Sequence, residues 1–210
     1  MTLFEIAARG GWIMFLILLC SLTAIAISFE RFFALRKIRI NARTFVLQIQ
    51  NLLMRGRLDE AIKNCKQTPG PIASLTKVTL EKYDRPHDEI KEALESAARL
   101  EIYHLEKYLG ALGTVAAIAP LLGFLGTVTG MIRAFMKIET LGGNVGAPVL
   151  AGGIWEALVT TAAGLVVGIM ALILYNYIQG RVAQNVYEME ESSYNLLEMM
   201  REKEITGHEI

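Results

Sequence analysis

The sequence predicts an all-α integral membrane protein in which three long transmembrane helices extend into a helical cytoplasmic region. Composition is the first observation behind this. The 210 residues are 53% hydrophobic, with a mean hydropathy of +0.38, which is too apolar for an ordinary soluble domain, yet 20% of them are charged. Segregation of the charges is the second. Runs of 20, 25 and 24 residues, bounded by Arg9 and Glu30, Lys107 and Arg133, and Glu156 and Arg181, contain no Asp, Glu, Lys or Arg. Each run matches the roughly 20 residues that cross a bilayer core as helix. Periodicity is the third: apolar residues outside these runs recur at helical spacing, and no strand-like alternation of useful length occurs.

The first span, "GGWIMFLILLCSLTAIAISF", is assigned to residues 10–30 after a short external segment, 1–9. A cleaved signal peptide is the competing reading. The run is longer than a usual signal core, and no small-residue cleavage site precedes the charges that follow. "RFFALRKIRINAR" then carries Arg31, Arg36, Lys37, Arg39 and Arg43, whereas Arg9 alone precedes the span. Cationic flanks stay cytoplasmic, so the amino terminus is expected outside. Span two (107–135) then runs outward, an external loop occupies 136–147, span three (148–178) returns, and a helical tail fills 179–210.

The cytoplasmic region, 31–106, reads as helices. Phe45, Ile49, Leu52, Leu53, Leu58 and Ile62 recur at near-helical spacing, with a turn allowed at Gly56. "TPGP" at 68–71 and "DRP" at 84–86 interrupt the pattern. From Asp88 no breaker follows, and Ile90, Leu94, Ala97, Ala98 and Leu105 predict one helix continuing straight into span two, with Glu95 and Arg99 as a favourable i,i+4 pair. Along the tail Val182, Val186, Met189, Tyr194, Leu197 and Met200 form the expected apolar side.

A formal net charge of +0 gives no general attraction to nucleic acid. Cys20 lies in an apolar run and Cys65 in a polar helix, so two free thiols are expected. Metal-ligand spacing is absent, as are G-x-x-x-x-G-K-[ST], G-x-S-x-G and H-E-x-x-H, and neither an enzyme nor a cofactor is expected. His87, His104 and His208 lie in polar helix or tail positions, where solvation is the ordinary role. The "RFFALRKIR" run reads as a topology and headgroup anchor.

Glu156 is the residue that needs a reason. A helix starting near Pro148 places it about two turns into span three, where an unpaired charge costs on the order of 2.5–3.5 kcal/mol. Small residues supply a second pattern. Gly123, Gly126, Thr127 and Gly130 share one stripe of span two, and Thr160, Gly164 and Gly168 step by four along span three. Such stripes ordinarily mean close helix packing. The threonines either bond back to their own helices or line a polar path. Pro120 removes a backbone donor and is expected to kink span two.

"APLLGFLGTVTGMIRAF" in span two and "GIWEALVTTAAGLVVGIMALILYN" in span three resemble the two most characteristic segments of the ExbB/TolQ/MotA proton-channel family, in the same order. "GRLDEAIKNC" resembles its cytoplasmic segment. Three spans agree with the ExbB and TolQ branch rather than with four-span MotA. The resemblance implies a bacterial inner-membrane subunit that forms a ring, typically a pentamer, around two copies of a single-span ExbD/TolR-type partner. The partner brings an aspartate into a lumen lined by Thr127 and Thr161, with Glu156 as the membrane carboxylate. Helix geometry sets Thr161 about 140° from Glu156 and Thr160 only about 40° away, so Thr160 is a further lumen candidate. A pure scaffold that merely anchors the partner is the alternative function.

Overall fold

The computed structural model describes residues 11–38, 40–140 and 147–207, the side chains of 147–150 and 202–207 excepted. The expected external segment 1–9, residues 141–146 of the expected loop, and His208 lie outside the described residues. Seven helices and no strand occur among the described residues: α1 (Gly11–Lys37), α2 (Ala42–Met54), α3 (Leu58–Gln67), α4 (Pro71–Glu81), α5 (His87–Glu106), α6 (Leu109–Thr140) and α7 (Ala147–Gly207). Three are long and apolar enough to cross a membrane. The chain divides into two compact units, one ending at Glu30 and resuming over Tyr108–Ile178, the other comprising Arg31–Lys107 and the chain from Gln179.

In the first unit, α1 buries Ile13, Met14, Ile17, Ala24 and Ser28 along one stripe. Its opposite face exposes Trp12, Phe15, Leu18, Leu22, Ile25 and Phe29. A helix apolar all round suits lipid rather than water. The same holds for α6 and α7, where Leu121, Phe124, Ile132, Val166, Ile169 and Ile173 are exposed.

The second unit is built from short amphipathic helices with local stop signals. Asn41 caps α2, its side-chain oxygen accepting from the Thr44 amide at 3.1 Å. Phe45, Val46, Ile49 and Leu53 are its buried face. Gly56, at φ +70, makes the turn into α3. Asp59 and Glu60 open that helix and Lys66 closes it, each favourable to the helix dipole. Pro71 occupies the first turn of α4. In α5, Glu95 and Arg99 approach to 3.6 Å. Neither cysteine is in a disulfide: Cys65 is buried and Cys20 half-buried.

Two expectations are corrected here. Instead of one helix running from Asp88 into span two, α5 stops at Glu106 and α6 begins at Leu109, with Tyr108 at φ 66. A left-handed residue other than glycine costs roughly 1–2 kcal/mol. Its compensation comes from far away in sequence. The buried Arg31 donates to the carbonyl of His104 at 2.9 Å and, less closely, to that of Leu105 at 3.5 Å. In an unbroken helix the amides of residues 108 and 109 would take those acceptors.

The second correction concerns the tail. Tyr194 is 65% exposed, while Ser192 and Leu196 are buried. The seam follows seven-residue steps, Val182, Met189 and Leu196, with Ser192 between the last two and Ile178 and Met200 continuing it at either end. Val182, Met189 and Met200 of the expected side are buried and Val186 and Leu197 half-buried, so the departure is confined to Tyr194, where the constant step places Ser192 and Leu196 inward instead.

Candidate functional site

Helices α6 and α7 pack antiparallel, because the contacts descend one as they climb the other. A Cβ added at Gly153 would lie 2.7 Å from the Ala134 Cβ, and one at Gly130 would lie 2.9 Å from the Ala157 Cβ. One at Gly126 would collide with the Thr160 hydroxyl. At Gly123 it would meet the Thr161 Cα at 3.0 Å, at Gly164 the Ala119 carbonyl at 2.5 Å, and at Gly168 the Pro120 ring at 2.5 Å. The glycines thus bring two backbones together where any side chain would hold them apart.

Pro120 lies within α6 and offers no amide to the Ala116 carbonyl. Gly168 sits over that carbonyl, its notional Cβ 3.2 Å from the oxygen. Lower down, Tyr175 covers Gly113, with a ring carbon 3.2 Å from the notional Cβ. Sequence reasoning passed over Tyr175, since a tyrosine near a span end reads as an interface anchor.

The three threonines take three different roles. Thr160 is 1% exposed, and its hydroxyl donates to the Ala157 carbonyl at 2.8 Å in its own helix. Packed on Gly126, it is buried in the interface with α6. Thr161 crosses between helices: its hydroxyl donates to the Gly123 carbonyl at 2.8 Å. Thr127 is half-buried and bonds back to the Phe124 carbonyl at 2.6 Å. In α-helical geometry the Gly123 carbonyl also receives the Thr127 amide, so Thr161 adds a second donor to an acceptor with two lone pairs.

Glu156 is not alone. Its Oε1 accepts from Arg133 Nη1 at 2.8 Å. A Cβ on Gly11, at the start of α1, would lie 3.2 Å from that carboxylate oxygen and 3.5 Å from Nη1. All three apolar helices therefore meet at one ion pair, placed beside the amino-terminal turn of α1, where negative charge is favoured. Arg133 was missed because it lies just beyond the uncharged run of span two. A signal for it existed. Antiparallel spans bring the last residues of one level with the first residues of the next, so Arg133 and Glu156 belong to the same layer.

Residues 67–191 match the MotA/TolQ/ExbB proton channel family, a segment that contains every threonine, glycine and charged residue described above on α6 and α7. A putative biopolymer transport protein ExbB homolog of Methanothermobacter thermautotrophicus is 30% identical over 90% of this chain and 67% of its own length. The biopolymer transport protein ExbB of Neisseria gonorrhoeae is 30% identical over 58% of this chain and 61% of its own length. The Tol-Pal system protein TolQ of Haemophilus influenzae is 36% identical over 53% and 49%, respectively. With a family match over more than half its length, and three apolar helices of spanning length that meet at one ion pair, the chain belongs to the MotA/TolQ/ExbB proton channel family.

Proposed function

We propose that this chain is the ring-forming, proton-conducting subunit of a membrane motor driven by the proton motive force, acting with a single-span ExbD/TolR-type partner. Its ring is a pentamer enclosing two partner helices, set in the bacterial inner membrane with the amino terminus outside. The chain itself performs no enzymatic reaction. One observation carries the reading. Within Gly11–Phe29, Leu109–Ile132 and Ala151–Gly180, Glu156 is the sole Asp, Glu, Lys, Arg or His, and Arg133 neutralises it. That carboxylate is already engaged by a guanidinium at 2.8 Å. The carboxylate that changes protonation state is then supplied by the partner.

Thr127 and Thr161 suit the wall past which that carboxylate moves. At rest each hydroxyl proton is held by a backbone carbonyl. An ionised carboxylate is the stronger acceptor and draws those hydroxyls by rotation about χ1. Once protonated it loses that advantage, the hydroxyls return to their carbonyls, and the neutral acid can pass apolar surface. A proton crossing the membrane supplies about 2.3 kcal/mol per 100 mV to drive the cycle. Repeated around a ring, the cycle turns ring and enclosed helices relative to each other, and the partner carries that motion to the envelope.

Reconstitution into vesicles tests this. The chain with its single-span partner should take up protons under an imposed potential, and the chain alone should not. Uptake by the chain alone would overturn the division of labour. Absence of uptake with the partner present would favour the scaffold reading, in which Glu156 and the glycine stripes serve assembly only.

A further inference from the structure

The second unit holds a cavity of about 480 Å³. Its cationic lining comes from three helices: Arg31 on α1, Lys66 on α3 and Lys77 on α4, with His104 of α5 beside them. Glu101 is the one carboxylate among the lining residues. The other walls are partly aliphatic, with Ala34, Leu35, Ile38, Pro71 and Leu105.

The walls are fixed. Arg31 is tied to the end of α5 by its bonds to the His104 and Leu105 carbonyls. Gly70, at φ +118, brings the entrance of α4 against the end of α1, so close that a Cβ there would lie 2.9 Å from the Ile38 carbonyl. Lys77 keeps only a loose pair with Glu81, at 3.7 Å with both side chains partly exposed. Such a pair contributes little and yields readily to a stronger anion.

Three permanent cations around one carboxylate leave the cavity electropositive. We infer that it binds the phosphate of an anionic ligand, and that the ligand is a membrane lipid headgroup. Two features favour a lipid over soluble phosphate. The apolar run of α1 ends at Phe29, which puts Arg31 at the water boundary of the first span. The lining also combines cations with aliphatic surface, which a glycerol backbone and the first methylenes of an acyl chain can cover, and a free phosphate cannot.

The full-length chain, purified in detergent, can be tested by native mass spectrometry after incubation with phosphatidylglycerol or phosphatidylcholine. A parallel thermal melt in inorganic phosphate completes the set. Phosphatidylglycerol should be retained in preference to phosphatidylcholine. In the double variant Lys66→Gln/Lys77→Gln its apparent affinity should fall about tenfold or more, with helical content unchanged by circular dichroism. The charge-matched variant Lys63→Gln/Lys82→Gln, whose lysines lie outside the cavity, should retain the lipid. Equal retention of both lipids would overturn the lipid assignment, and equal loss in the two double variants would overturn the site itself. Stabilisation by inorganic phosphate in the native chain but not in Lys66→Gln/Lys77→Gln, without lipid preference, would sustain the anion site and reassign it to a soluble phosphate.

Discussion

The hydroxyl of Thr161 on α7 donates to the carbonyl of Gly123 on α6 at 2.8 Å, a polar bond set within the closely packed glycine contacts of the two helices. Thr161→Val removes the hydroxyl while keeping the branched shape. The loss in stability should be small, about 0.6 kcal/mol and at most near 1.7, as for other polar contacts between membrane helices. Proton uptake with the partner should nevertheless be abolished, and Thr161→Ser should keep it. A ring that assembles and conducts normally with valine would remove Thr161 from the pathway.

Neutralising charges one at a time separates the roles of Glu156 and Arg133. Glu156→Gln leaves a guanidinium without its carboxylate near the end of an apolar helix, an arrangement costing on the order of 2–3 kcal/mol. Arg133→Gln/Glu156→Gln should recover most of that loss, since removing both members of a pair is cheaper than removing one. Melting temperatures in detergent measure both. In vesicles with the partner, the double variant should still take up protons; if uptake is lost in a stably folded double variant, Glu156 is itself a carrier.

The glycine contacts predict opposite signs at different positions. Gly164→Ala sets a methyl 2.5 Å from the Ala119 carbonyl and 2.8 Å from the Gly123 Cα, both backbone atoms that cannot swing aside. Overpacking of this kind costs roughly 1–3 kcal/mol. Gly180, also within α7, has nothing within 4 Å of its notional Cβ. There alanine should stabilise by about 0.5–1 kcal/mol through helix propensity alone. A comparison of the two melts checks whether contact or propensity governs this helix.

Much of this was legible in the sequence because lipid restricts the possibilities so strongly. An uncharged apolar run of 20 or more residues is long enough to cross the bilayer as a helix, and spacing alone put Gly123, Gly126 and Gly130 on one face. What failed was whatever depends on a partner distant in sequence. Tyr108 departs from helix with no glycine or proline to announce it, because the donor that makes the departure tolerable, Arg31, lies 73 residues from the His104 carbonyl it serves. Thr160 and Thr161 are adjacent and identical. Only the position of α6 makes one a packing residue and the other a bridge.

Arg31 offers a direct test of the helix break. Arg31→Met keeps the length of the side chain and removes the donors, leaving the His104 and Leu105 carbonyls to find others. A buried acceptor left without a donor costs about 1–3 kcal/mol. The melting temperature should fall accordingly, and proteolysis near residues 104–108 should quicken. Unchanged stability would mean that the break at Tyr108 is held by other contacts.

Cys65 gives the clearest pH dependence. Burial pushes its thiol up from an ordinary 9.0 to about 11. The folded chain therefore holds this proton more tightly than the unfolded chain does. Below pH 9.0 both states keep the proton and the full contribution to stability is present. As pH rises toward about 11 the unfolded thiol ionises first, and the folded state loses on the order of 2 kcal/mol relative to it. Alanine has no such proton. The difference in melting temperature between the native chain and Cys65→Ala should therefore shift against the native chain across this window, and maleimide should label Cys65 only upon unfolding. A constant difference together with rapid labelling of the folded chain would place the thiol in water, against the burial that closes this side of the helical core.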